Sequence, residues 1–247
     1  GDDPRSDSGS PAHQPQGGAT MRFQRHVASL LGARSRVPVT FGPLPARGYA
    51  RCVTHIVLVR HGQSTWNLEH RLQGQTMHVP LTDLGRAQAE QAAHRVVELV
   101  APGTAVISSD QLRAVQTAEP IARALGVAVT TDARLREQAL GRMEGKLPEE
   151  LTPEPAPPGI DVADVRWGGG ESLADVTART RSFLTIDSPA DDEIVLVTHG
   201  DTMRVILGVL DGRSHRHLDW DLTIGNGAVM EREVGLAALR DGEYDAE

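Results

Sequence analysis

The chain has 247 residues, 39% of them hydrophobic, with a formal net charge of −8. That length suits one large α/β domain or two small ones, and no apolar run approaches the roughly 20 residues of a membrane span. A single cysteine, Cys52, excludes an intrachain disulfide framework and any multi-cysteine zinc site, which is compatible with a cytoplasmic setting.

Residues 1–20 are polar, rich in Pro, Ser, Gly and Gln, and without periodicity, so they read as disordered. Residues 21–51 carry six Arg and no acid, around one short apolar run at 27–33. A targeting segment, an untargeted flexible extension and an over-long gene start all fit this stretch. The expected division is a flexible extension over 1–51 and one domain over 52–247. The domain is strongly acidic, which argues against non-specific nucleic-acid binding but not against a phosphate ester held by a few local arginines.

From Thr54 the pattern becomes regular. A β-branched run at 55–59 predicts a buried parallel strand, and 194–198 predicts its counterpart. Between them the sequence predicts a helix over 84–100 capped by Thr82 or Asp83, a strand at 105–108 and a helix over 112–125 stopped by Gly126. Pro120 inside that second helix argues against its being unbroken. A strand follows at 127–130. Residues 146–170 are rich in Pro and Gly and predict no regular element. Ser172 caps a helix to about Ile186, and a last helix covers 203–210, ended by Asp211-Gly212.

Both strands of the β-branched pair end in His-Gly: Leu58-Val59-Arg60-His61-Gly62-Gln63-Ser64, and Val197-Thr198-His199-Gly200. Ligands of open α/β sheets bind outside the carboxyl ends of the strands, so two imidazoles and an arginine at one edge make a pocket for a small anion. Between these motifs lie Ser108-Ser109-Asp110-Gln111-Leu112-Arg113-Ala114-Val115-Gln116-Thr117-Ala118 and Leu135-Arg136-Glu137-Gln138-Ala139-Leu140-Gly141-Arg142-Met143-Glu144-Gly145. Together, over roughly residues 55–231, the four stretches resemble the histidine phosphatase superfamily, also called phosphoglycerate mutase-like.

The resemblance implies a three-layer α/β/α domain with a mostly parallel sheet. It implies His61 as a nucleophile that becomes phosphohistidine, with its other ring nitrogen donating to a backbone carbonyl. His199 is then a donor to the equatorial oxygens, and Glu137 the residue that protonates the leaving oxygen and later activates water. Glu144, in the same motif, competes for that role but reads better as a structural partner. The phosphate pocket implied is lined by Arg60, Arg113, Asn67, Gln73, Gly62, Gly200 and Glu171, with Gly62 leaving room for phosphate and Glu171 holding a pocket arginine or histidine or capping a helix.

No metal or cofactor is expected. The partner expected is a small-molecule phosphate ester, without nucleic acid or membrane, and a homodimer is left open. His215-Arg216-His217 is a weak metal signal, and no phosphate loop of the Gly-x-x-x-x-Gly-Lys-Ser/Thr type occurs. The expected activity is that of a histidine acid phosphatase-type phosphoric monoester hydrolase. A cofactor-dependent phosphoglycerate mutase is the alternative: Arg60-His61-Gly62-Gln63-Ser64-x-Trp66-Asn67 is mutase-like. The Arg and Tyr that follow the mutases' glutamate, and their Gly-Trp, are missing. A catalytically silent relative that binds phosphorylated ligands is the reading from another class.

Overall fold

Two-sided burial explains the strands. The structure, a computed structural model, describes residues 53–152, 155–187 and 193–235. The strands are β1 (Val53–Arg60), β2 (Ala105–Ser108), β3 (Val129–Thr131), β4 (Glu193–Thr198) and β5 (Val229–Gly235). Along β1, Ile56 and Leu58 face one core while Val57 and Val59 face another. In β4, Ile194 and Leu196 alternate with Val195 and Val197 in the same way, and in β2 Ile107 opposes Val106. Each such side chain stabilises the fold by about 1.5–3 kcal/mol through burial alone. The sheet order is β3-β2-β4-β1-β5. The first three pairings are parallel, and β5 closes the edge antiparallel to β1.

The helices are α1 (Thr65–Leu68), α2 (Asp83–Val96), α3 (Leu112–Leu125), α4 (Leu173–Ser182) and α5 (Gly200–Leu210). The valine face is covered by α2 and α3, largely through Ala92, Ala93, Ala114, Ala118 and Ala122. The other face carries the larger side chains of α4 and α5, with Phe183, Leu184, Met203 and Ile206. Helix, sheet and helix thus form three layers around a mostly parallel sheet, as the sequence predicts.

Local chemistry sets the helix ends. Thr82 accepts from Gly85 N to start α2. Ser172 and Asp175 exchange hydrogen bonds to start α4, which runs on into a π-helical turn at Phe183–Asp187. Gly126, at φ +75°, ends α3.

Several expectations need correction. The helix over 84–100 stops at Val96, and tighter turns then bring Val100 back into the core. Helix α3 runs unbroken through Pro120, whose ring is buried beside Ala118 and Ile121. The strand read at 127–130 is instead Val129–Thr131. The last helix begins at Gly200, three residues before the predicted start, because the chain turns into it straight from His199. Strand β5 and the single turn α1 were not anticipated. The described residues of segment 146–170 hold only short 3₁₀ turns, at Pro148–Glu150, Val162–Asp164 and Trp167–Gly169. The extension over 1–51 and its apolar run lie outside the described residues. Among the described residues no helix is long and apolar enough to cross a membrane.

A backbone contact is one reason for a glycine at position 62. A Cβ there would lie 2.2 Å from Gly85 O, and a Cβ on Gly85 would lie 2.0 Å from Gln63 O. The loop after β1 and the first turn of α2 therefore touch backbone to backbone. Gly85→Ala is expected to cost about 1–3 kcal/mol through overpacking, read as a lower urea midpoint, and to lower turnover because the His61 loop must move.

Candidate active site

The register Val59↔Val197 and Arg60↔Thr198 carries β1 and β4 side by side to their carboxyl ends. The next residues, His61 and His199, therefore emerge together, with ring centroids 5.1 Å apart. Strand β2 lies on the far side of β4, and Ser109 N continues its ladder to Val197 O. The chain then turns into α3, whose second residue is Arg113. Three neighbouring strand ends thus deliver Arg60, His61, His199, Ser109 and Arg113 to one place.

His61 Nδ1 lies 2.7 Å from Gly62 O. A carbonyl only accepts, so the proton sits on Nδ1 and Nε2 keeps its lone pair. His199 Nε2 lies 2.8 Å from Ser109 Oγ, which also receives Gln111 N at 3.3 Å. The serine hydroxyl is then free to donate to Nε2, which leaves the proton of His199 on Nδ1. That Nδ1 is buried and has no hydrogen-bond partner among the described residues. Both imidazoles are held well below their ordinary range by burial, and then by Arg113. At neutral pH both are uncharged.

Arg113 is 0% exposed, and its two terminal nitrogens donate to Thr76 O and Gly74 O, each at 2.9 Å. Burial pushes its guanidinium down to about 10, still charged at neutral pH. Glu144 props this loop from below, accepting from Gln75 N, Leu140 N and Thr76 Oγ1. Gly74 has φ +47°, and a Cβ on it would strike the Glu144 carboxylate. Glu144 therefore acts on Arg113 through the loop. Arg60 donates through NH1 to Ile224 O, and its guanidinium lies against Gly200, where a Cβ would come 3.3 Å from Cζ. Nε of Arg60, Nε of Arg113 and Nδ2 of Asn67 are buried donors without partners among the described residues. Left bare, such groups cost about 1–3 kcal/mol each. Around the two histidines they suit an anion with several acceptor oxygens.

Glu137 is buried at the start of α5. Its Oε1 accepts from Gln138 N, Thr202 N and Thr202 Oγ1, and its Oε2 accepts from Asp201 N at 3.3 Å. Those donors favour the carboxylate, but burial and then the like charge of Asp201 push the carboxyl above its usual range.

The remaining expected residues sit nearby in supporting positions. Asn67 Oδ1 accepts from Ser64 N and Asn226 Nδ2, and Gln73 Oε1 accepts from Ser64 Oγ. Glu171 holds Arg179, Ala139 N and Gln75, so its arginine is neither Arg60 nor Arg113, and Ser172 is the helix cap. His215 lies 2.7 Å from Asp164, and His217 faces Ser214. Among the described residues no three His, Cys, Asp or Glu side chains gather as a metal site. Sequence reasoning missed Ser109, Thr202 and Asp201, although each lies within or beside a quoted motif.

Fold and site define an α/β protein whose parallel strands gather two histidines and two arginines at their carboxyl ends. Over residues 56–235 the chain matches the histidine phosphatase superfamily (branch 1), and it belongs to that superfamily. It is 39% identical over 163 residues to a probable phosphoglycerate mutase GpmB of Yersinia enterocolitica, covering 64% of this chain and 74% of that one. Among solved structures it resembles Mycobacterial hydrolase 1, at 30% identity and TM-score 0.61, covering 72% of this chain and 88% of that one. It also resembles a mycobacterial glucosyl-3-phosphoglycerate phosphatase, at 30% identity and TM-score 0.59, covering 72% and 89% of the two chains.

The depressed histidines give a pH prediction. An imidazole held well below its ordinary 6.5, as His61 is, stays neutral as pH falls through that value. The acid limb of kcat/KM for a nitrophenyl phosphate, corrected for the ester's own second ionisation, should therefore lie clearly below pH 6.5. A limb at the ordinary imidazole value would show His61 to be solvated.

Proposed function

We propose that this chain is a metal-independent phosphomonoesterase that acts on a small phosphorylated metabolite through a phosphohistidine at His61. The observation that carries the reading is the pairing of the two neutral imidazoles, 5.1 Å apart, beside two buried arginines. The His61 Nε2 lone pair attacks phosphorus, forming an N–P bond as the ester P–O bond breaks. Glu137 gives its proton to the leaving oxygen. Nδ1–H of His199 and the donors of Arg60, Arg113 and Asn67 stabilise the charge on the equatorial oxygens. Water then attacks the phosphohistidine and loses a proton to the Glu137 carboxylate, and His61 is released. The arginines supply the positive charge that a metal ion would otherwise bring, so turnover should persist under exhaustive chelation.

The solved structures of a hydrolase and of a glucosyl-3-phosphoglycerate phosphatase support a phosphatase. The GpmB likeness favours a second reading, a mutase that returns the phosphoryl group to the same substrate. Against it, Glu137 is followed by Gln138-Ala139-Leu140-Gly141, without the mutase Arg and Tyr, and residues 74–77 read Gly-Gln-Thr-Met. The single cysteine fits a cytoplasmic setting, which belongs to the same proposal.

Rapid quench with labelled ester should trap acid-labile phosphate on the wild type and none on His61→Ala, with inorganic phosphate as the product. Near-normal turnover by His61→Ala would sink the assignment, and an isomerised phosphoglycerate as the main product would favour the mutase.

The two carboxylates of the Glu137–Glu144 segment separate by leaving group. A nitrophenolate departs nearly unaided, whereas an alkoxide needs a proton. Glu137→Gln should slow an alkyl phosphate by roughly 10²-fold or more and a nitrophenyl phosphate far less in kcat/KM. Glu144→Gln should affect both alike through the loop that holds Arg113. The reverse pattern would move the acid to Glu144.

A further inference from the structure

Gln111 stands at the N-cap of α3, yet its side chain does not cap that helix. Serine, threonine, aspartate and asparagine are the usual residues there, because their short side chains reach the first free N–H groups. Gln111 is 0% exposed, and its amide is engaged across the site instead. Nε2 donates to Gly74 O at 3.0 Å and to Thr76 O at 3.2 Å, and Oε1 accepts from Glu137 N at 2.8 Å. Turned over, the amide would set its oxygen against two carbonyls and its NH2 group against an N–H, so the surroundings fix one orientation. The backbone N–H of Gln111 donates to Ser109 Oγ at 3.3 Å, and Ser109 Oγ lies 2.8 Å from His199 Nε2.

The two ends of that amide meet the supports of two different functional groups. Gly74 O and Thr76 O are the carbonyls that hold the terminal nitrogens of Arg113. A carbonyl oxygen has two lone pairs, so each of them accepts from Gln111 and Arg113 together. Glu137 stands in a stretch without helix or strand, between the 3₁₀ turns Ala133–Leu135 and Gly141–Met143. No helix or sheet ladder fixes its backbone there, and side chains hold it instead. Gln111 takes its N–H, and Arg179 donates to its carbonyl at 3.1 Å. Removing the Gln111 amide would leave that buried N–H bare and free the 74–76 carbonyls on one side.

We propose that Gln111 is a positioning residue that ties the arginine gripping phosphate to the carboxyl that delivers the proton, so that Arg113 and Glu137 keep one fixed separation. Gln111 acts through the Gly74 and Thr76 carbonyls and through the Glu137 backbone, not by touching the ester. A misplacement of about 1 Å between reacting groups can slow a reaction on the order of 10²-fold, so a bridge one side chain long is enough to matter. A neutral amide suits the place, because it donates at one end and accepts at the other without adding charge beside a phosphate dianion. This rests on the phosphatase reading above and deepens it, by naming the residue that keeps the phosphate clamp and the acid aligned.

The test replaces Gln111 by methionine, which is similar in length and lacks the amide donor and acceptor. In Gln111→Met, kcat/KM for an alkyl phosphate should fall roughly 10²-fold. For a nitrophenyl phosphate, whose leaving group needs no proton, the fall should be about tenfold or less. Binding of inorganic phosphate, read by calorimetry, should weaken as well, because Arg113 loses its fixed carbonyls. Adding Gln111→Met to Glu137→Gln should lower both esters by the same factor, since the proton carrier is already gone. Equal losses for the two esters in the single variant, a further leaving-group dependence in the double variant, or unchanged phosphate binding overturns the proposal. Amide exchange followed by NMR reads the tie without turnover: the Glu137 N–H should exchange slowly in wild type, although it lies outside helix and strand. Rapid exchange there overturns the proposal even if Gln111→Met does not fold. A wild type that hydrolyses neither ester would defeat the phosphatase reading. The tie then stands if Gln111→Met both weakens phosphate binding and speeds exchange of the Glu137 N–H, and falls if either is unchanged.

Discussion

The parallel pairing of β1 with β4 is the constraint on which the rest depends. Side chains alternate across a strand, so a one-residue slip would send every core side chain of β1 to the opposite face. The segregation of Ile56 and Leu58 from Val57 and Val59 makes such a slip costly, because the two cores are filled by side chains of different size. The same register decides that His61 and His199 leave the sheet at the same level. The alignment of the two histidines is thus inherited from the packing of four apolar side chains on each strand.

A second dependence runs through backbone carbonyls. Arg113 is too buried to be steadied by solvent, and Gly74 O and Thr76 O hold its terminal nitrogens. Those carbonyls are placed by a loop that rests on Glu144, and Gln111 Nε2 donates to the same two oxygens. Neutral dipoles orient the cation without cancelling it. A carboxylate in that position would fix the arginine equally well but would repel a phosphate dianion.

Much of this is legible in the sequence, and the exceptions have physical reasons. The buried strands announce themselves through unbroken β-branched runs, and Gly126 and Ser172 mark helix ends through their own chemistry. Strand β5 does not, because it is an edge strand in which exposed Glu231 and Glu233 alternate with partly buried Met230, Arg232 and Val234, leaving no unbroken apolar run. The histidines, arginines and Glu137 are brought together from four separate motifs, as the order of those motifs suggests. What the sequence hides is anything set by contact between distant backbones. Nothing in the motif around Gly62 announces its backbone contact with Gly85. Glu171 reads as a partner of a pocket arginine or histidine or as a helix cap, and the sequence does not say which arginine: it meets Arg179, which also donates to the Glu137 carbonyl. Asp201 carries no signal of its own, since its environment is assembled by residues from three other elements.

The two faces of the sheet also differ in how they can change over evolutionary time. On the valine side, alanines of α2 and α3 let those helices sit close, and the glycine contact ties the loop of His61 to that wall. Replacing one of these alanines by a larger residue would push its helix off the sheet, so change at those positions favours small residues. The opposite side, filled by Phe183, Leu184, Met203 and Ile206, has long, adjustable side chains that can trade volume with one another. Changes of shape are therefore more accessible through the layer of α4 and α5, while the loop of His61 stays tied to the opposite wall through the glycine contact.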